Sequence, residues 1–213
     1  MHRSSSATQT AFTSFGDATA FSKAGHNGSA EMAVLLSWIQ SYLMASHAEL
    51  GRTGAVCPFT KQAAKLDTIR VTLSQAEVSR EHDIFLLVRS AFSTLNDIPA
   101  QKGMEHFRTV IMGFPAFDGD EGLAALKRIQ RAHRTYSLAR GRMIGLMHAT
   151  SEDQGLWNPD FRPLRSPMPV LAIRHMVEQD APFAALHPAL LLAYLARFPL
   201  KGTRRLTAHW RGN

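Results

Sequence analysis

The run His106–Phe114 (HFRTVIMGF) constrains this chain more than any other segment. Its second half is nearly continuous in apolar residues, so it needs cover on both faces, as a central strand does. Three further short segments read as strands by alternation or β-branching: Thr68–Leu73, Arg142–His148 (RMIGLMH) and Val170–Met176. Stretches with helical spacing separate them. Met32, Leu35, Leu36, Ile39 and Leu43 predict a helix over 30–46, and Phe85, Val88, Phe92 and Leu95 predict one over Glu77–Leu95. A third helix starts after Asp118 and Asp120, where carboxylates favour the positive end of the helix dipole, and runs to about Arg140. Leu126, Ile129, His133 and Tyr136 share one side of it; Lys127, Arg131 and Arg134 share the other. Cys57-Pro58 opens a short helix over Phe59–Leu66, because proline suits a first helical position. Asp180 caps a final helical region that Pro188 divides, with Leu190–Phe198 as its second part.

The expected fold class is therefore α+β: one domain with a four-stranded mixed or antiparallel sheet, covered mainly on one face by about four to six helices. Residues 1–28, rich in Ser, Thr, Ala and Gly without apolar periodicity, read as a disordered lead. The domain is expected over 29–200, with Ser29 as a helix N-cap, and 201–213 as a basic C-terminal tail. A chain of 213 residues, 45% hydrophobic, is long enough to bury one sizeable core.

Cys57 is the only cysteine, which excludes a disulfide within the chain and a multi-cysteine zinc site. No apolar run reaches the roughly 20 residues of a membrane helix. Ser37 interrupts Met32–Ile39, and His187 and Pro188 interrupt Leu186–Leu195. The N-terminus lacks the apolar stretch of a secretory signal. The expectation is a cytoplasmic protein with no membrane partner.

The net charge of +7 suits an acidic partner: nucleic acid, a phosphorylated molecule or a propionate-bearing cofactor. The basic residues are dispersed over one helix (Lys127, Arg128, Arg131, Arg134), loops (Arg162, Arg165) and the C-terminus (Lys201, Arg204, Arg205, Arg211). They lack the aromatic interleaving that binds single strands. A small-molecule substrate is expected rather than nucleic acid. The sequence has no P-loop, no GxGxxG, no HExxH and no GxSxG.

Five residues are candidates for chemistry. Cys57, at or just before a helix N-terminus, is a nucleophile, redox sensor or haem ligand if held as thiolate, and otherwise a buried small hydrophobe. His148 ends an apolar strand and faces the long loop Ala149–Pro169, which carries Pro159, Pro163, Pro167 and Pro169. A neutral imidazole there suits a metal or haem, or makes an ordinary strand-end hydrogen bond. His133, on the apolar side of its helix, is a satisfied core residue or the wall of a distal pocket. Arg174 interrupts an apolar strand and needs a partner. Asp180 or Glu178 would give it an ion pair; alternatively Arg174 and Arg165 bind a ligand carboxylate or propionate through their guanidinium forks.

The strings GRTGAVCPF and RSPMPVLAIRHMVEQDAPF resemble a bacterial and fungal family without an assigned activity, domain of unknown function family 6875, from about Glu49 to Phe198. Cys57-Pro58, Gly145-Leu146-Met147-His148, Arg165-Ser166-Pro167, Arg174 and Asp180 more distantly resemble YqcI/YcgG-type haem proteins. That resemblance implies His148 as axial ligand, Arg165 and Arg174 at the propionates, and Cys57 nearby or as the ligand itself. It also implies a haem-dependent oxygenase acting on a small amino-acid-like or secondary-metabolite substrate. A non-catalytic module for a small anion, using the same arginines, is the alternative; a nucleic-acid-associated protein is the third.

Overall fold

A computed structural model describes residues 11–212. In chain order it contains β1 (Thr13–Ser14), α1 (Phe15–Ser22), α2 (Ser29–Trp38), α3 (Thr60–Lys65), β2 (Ile69–Leu73), α4 (Glu81–Asp97), β3 (Thr109–Gly113), α5 (Asp120–Ala139), β4 (Arg142–Met147), β5 (Val170–His175), α6 (Ala181–Ala185), α7 (Pro188–Arg197) and α8 (Pro199–Gly212). A π-helical turn, Ile39–Leu43, continues α2. No helix is long and apolar enough to cross a membrane among the described residues.

The five strands form one sheet in the order β1-β2-β3-β5-β4. β2 and β3 are parallel, and α4 supplies the crossover that a parallel pair requires. β5 is antiparallel to both β3 and β4, so β4 runs the same way as β3 with β5 between them. The register aligns Ile69 with Thr109, Thr109 with Arg174, and Arg142 with His175. These residues mark the first end of the sheet; Leu73, Gly113, Met147 and Val170 mark the second.

Side chains alternate faces along a strand. Val110, Met112, Leu146, Leu171 and Ile173 pack with α4 and α5, around Val88, Phe92, Leu126 and Ile129. Ile69, Val71, Ile111, Met147 and Val170 pack with α1, α2 and α3, around Ala18, Leu35, Leu36 and Ala63. The expected one-sided cover is thus corrected: both faces carry helices. The physical reason is the composition of β3, whose Val110, Ile111 and Met112 are all at most 2% exposed and need apolar neighbours on each side. A third cluster, Met176, Ala184, Leu190, Tyr194 and Leu206, gathers α6, α7 and α8 beyond β5.

Two terminal expectations also change. Residues 1–10 of the expected disordered lead lie outside the described residues, but Thr13 pairs with Val71 and Ser14 caps α1 by accepting the Asp17 N–H. This adds a strand to the four expected. Ser29 is not an N-cap; Gly28 holds that position at φ 83°, and the Ser29 hydroxyl donates to the Phe21 carbonyl, fastening α2 to α1. Residues 201–212 are not a tail but most of α8, whose Leu206 is 2% exposed. Lys201 and Arg205 both pair with Glu178.

Candidate functional site

The five residues singled out from sequence do not all converge: Cys57 lies near enough to Arg174 to act on its charge, while His148, His133 and Arg165 stand elsewhere. His148 follows Met147 off the second end of the sheet and turns to the α5 side, where Lys127, Asp118 and Asp153 act on it. Burial, then the charge of Lys127, lowers its pKa. Its Nδ1 is 3.1 Å from the Thr150 hydroxyl. Cys57 lies across the sheet, half-buried in the α1–α3 core. It is not at a helix start: α3 begins at Thr60, because the Cys57 N–H donates to the Leu43 carbonyl and holds the segment against the π-helical turn. His133 is buried between α4 and α5 with its ring 4.4 Å from Phe85, and Nδ1–H donates to the Ile129 carbonyl.

Both arginines are already engaged. Arg165 donates to the Ser151 carbonyl and pairs with Glu152, which also meets Arg162. Arg174 forms a two-bond pair with Asp180, 2.8 and 2.6 Å long, and its guanidinium lies over the Phe59 ring. Asp180 is one of the two partners, with Glu178, that the sequence offered for it. A haem with His148 or Cys57 as ligand and both arginines at its propionates would need these groups on one wall. The sheet separates the two ligands, and carboxylates occupy both guanidinium forks. The set does not fit one haem site.

The long loop Ala149–Pro169 is packed, which accounts for its length and prolines. The Trp38 indole N–H donates to the Arg165 carbonyl, the Tyr42 hydroxyl to the Arg162 carbonyl, and the Asn158 amide to the Glu49 carbonyl. Phe161 stacks on His47 at 4.7 Å. The loop therefore seals the second end of the sheet against α2.

The opposite end carries a different constellation. Arg108 precedes β3, Arg142 opens β4 and His175 closes β5, each two residues from a side chain of the α4/α5 core: Val110, Ile144 and Ile173. Alternation therefore puts all three on the α4/α5 face. Pairing Arg142 with His175 in register brings them side by side. Arg197, from α7, lies against Gly141, where its Cδ and Nε are each 3.1 Å from a Cβ position. Arg140, at the end of α5, covers the Tyr136 ring at 3.8 Å.

Arg108, Arg140, Arg142 and Arg197 form no ion pair with a carboxylate among the described residues, although eight such pairs exist elsewhere. Arg142 instead donates to Asn96 Oδ1 at 2.8 Å and to the Arg140 carbonyl at 2.9 Å. Buried polar atoms normally find partners. Among the described residues Arg108 Nε, His175 Nε2 and, on α5, Ser137 Oγ and His133 Nε2 have none. His175 is 8% exposed. Burial, then the charges of Arg142, Arg108, Arg197 and His106, push its pKa from 6.5 down to about 4. Burial and Arg197, Arg108 and Arg140 also lower that of Arg142, which stays charged at any physiological pH. Beside this group a cavity of about 290 Å³ is lined by Phe92, Asn96, Tyr136, Arg140 and Arg142.

A second cavity, of about 360 Å³, opens around Phe85 and Ile129. Its one arginine, Arg128, is taken by Glu81.

Sequence reading missed the cationic end because its members stand far apart along the chain, from Arg108 through Arg142 and His175 to Arg197. The available signal was parity: Arg108, Arg142 and His175 are basic residues that continue an apolar strand face to its end.

The family description Domain of unknown function (DUF6875) matches residues 32–209. No curated protein and no solved structure matches the chain. A match over most of the chain, spanning α2 to α8 and so both faces of the sheet, makes this protein a member of the DUF6875 family.

Proposed function

We propose that this protein is a binding module for a small anionic metabolite, held at the first end of the sheet by Arg108, Arg142, Arg197 and His175. The observation that carries this reading is the pair of buried, unpartnered donors or acceptors, Arg108 Nε and His175 Nε2, among arginines that no carboxylate neutralises. An uncompensated cluster of like charges is unfavourable, and an anion supplies both the missing charge and the missing hydrogen-bond acceptors. The cavity beside Arg142 gives a small molecule room for its uncharged part, with Phe92 as apolar wall and Asn96 as a polar one.

Phosphate added to the purified chain should raise its melting temperature in a saturable way, because a ligand that binds only the folded state stabilises it. Arg142→Ala and Arg108→Ala should each weaken phosphate binding about 10- to 100-fold by calorimetry, the worth of a charge-assisted hydrogen bond of about 1.5–3 kcal/mol. Arg165→Ala, at the far end of the sheet, should leave it unchanged. Equal loss at all three positions would reduce the effect to general charge screening and remove the site.

Haem ligation by His148 is the rival reading, and one observation favours it: burial lowers the pKa of this imidazole and so favours the neutral form, which binds a metal. Under that reading, haem titration gives a Soret shift that His148→Ala abolishes and Cys57→Ala leaves intact. The expected result is a spectrum unaffected by His148→Ala. A ligand-dependent band lost in that variant alone would restore the oxygenase and displace the anion module.

A further inference from the structure

We propose, resting on the anion-binding reading above, that the ligand presents a dianionic end of the phosphate-monoester type and that its binding loads one proton onto His175, so that the site tightens as pH falls.

The charge inventory argues for a dianion. Arg108, Arg142, Arg197 and the titratable His106 act on His175, and Arg140 adds a further guanidinium on Arg142. A monoanion leaves most of that charge uncompensated. Among the described residues the flanking carboxylates form no ion pair with it: Asp97 follows Asn96 on α4, and Glu105 precedes His106. From α5 the cluster meets Tyr136, whose ring Arg140 covers.

His175 supplies the proton coupling. It is buried, lies in register with Arg142, and has Nε2 without a partner. In the free protein burial first, and then the surrounding guanidiniums, keep the imidazole neutral. An oxyanion that offsets two of those charges lowers the positive potential at the imidazole and offers it an acceptor. Protonation then turns both ring nitrogens into donors and adds a charge-assisted bond to the ligand. Linkage fixes the sign: a group that binds a proton in the complex and not in the free site makes the complex tighter at lower pH.

Sulfate is the probe, because it stays dianionic from about pH 8 to about pH 5 and has no proton of its own to exchange there. Calorimetric titration of the full chain at constant ionic strength should show affinity rising by a factor approaching ten per pH unit as pH falls. Buffers of different ionisation enthalpy should report uptake approaching one proton per sulfate. Acetate, a monoanion, should bind at least about tenfold more weakly. His175→Gln should bind sulfate with an affinity that no longer depends on pH. Should that variant fold poorly, the imidazole nitrogen resonances of His175 in the unaltered chain give the same answer: sulfate should move them to the doubly protonated position at a pH where the free site is neutral. Sulfate binding without proton uptake, or pH dependence that persists in His175→Gln, overturns the coupling while the anion site stands. Acetate binding as tightly as sulfate overturns the dianion. No sulfate binding at any pH removes the anion site itself, and this inference with it.

Discussion

Replacing Asp180 by alanine is expected to lower the stability of the fold by about 3–5 kcal/mol, the usual cost of leaving one buried charge without its partner. Asp180 is 2% exposed and accepts from both terminal nitrogens of Arg174 and from the Val177 N–H. Arg174 also donates to the His175 carbonyl, so one pair ties β5 to the turn that leads into α6. In the variant the guanidinium stays in the α1–α3 side of the structure with only the Phe59 face and a carbonyl to meet it. Chemical denaturation of the purified variants measures the effect. Arg174→Met should cost a similar amount by leaving the carboxylate unpaired. The double variant Arg174→Met/Asp180→Leu should recover much of the loss, since an apolar pair of like volume often replaces a buried ion pair at little cost. Strictly additive losses would mean that the two side chains do not act as a pair.

Lowering the pH from about 7 to about 4 is expected to remove on the order of 3 kcal/mol of stability through His175 alone, from its ordinary pKa of 6.5 and folded value of about 4 at 1.36 kcal/mol per pH unit. The sign follows from proton counts. Between these two values the unfolded chain carries a proton on this histidine and the folded chain does not. Stability is therefore full above 6.5, falls as the pH drops through that window, and levels off below about 4. Denaturation midpoints across the range, compared with those of His175→Gln, isolate the contribution from that of the carboxylates. A variant as acid-sensitive as the parent would show that His175 does not titrate in this way. Sulfate should flatten the slope, because a bound anion relieves the penalty for charging the imidazole.

The sequence reads most clearly where one local period decides the outcome. Thr109–Gly113, Arg142–Met147 and Val170–His175 lie within the segments read as strands, since alternation and β-branching are properties of neighbouring residues. The helix over Asp120–Ala139 starts at its expected acidic residues for the same reason. The ion pair of Arg174 was also legible: a charge in an apolar strand demands a partner, and Asp180 stands only six residues on. The segment 12–22 was not legible, because a strand of two residues and a helix of eight carry almost no periodic signal. Their order comes from pairing with β2 and from burying Ala18.

By itself, then, the sequence determined four of the five strands, the main helices and the need of Arg174 for a partner, all of which rest on spacing within a few residues. Only the tertiary structure decided which residues meet. It inserted β5 between β3 and β4, set Arg142 opposite His175, and so gathered Arg108, Arg142, Arg197 and His175 at one end while leaving His148 and Cys57 on opposite sides of the sheet. The physical reason is that strand order and facing depend on burying two apolar faces at once, a condition on the whole chain that no local pattern states.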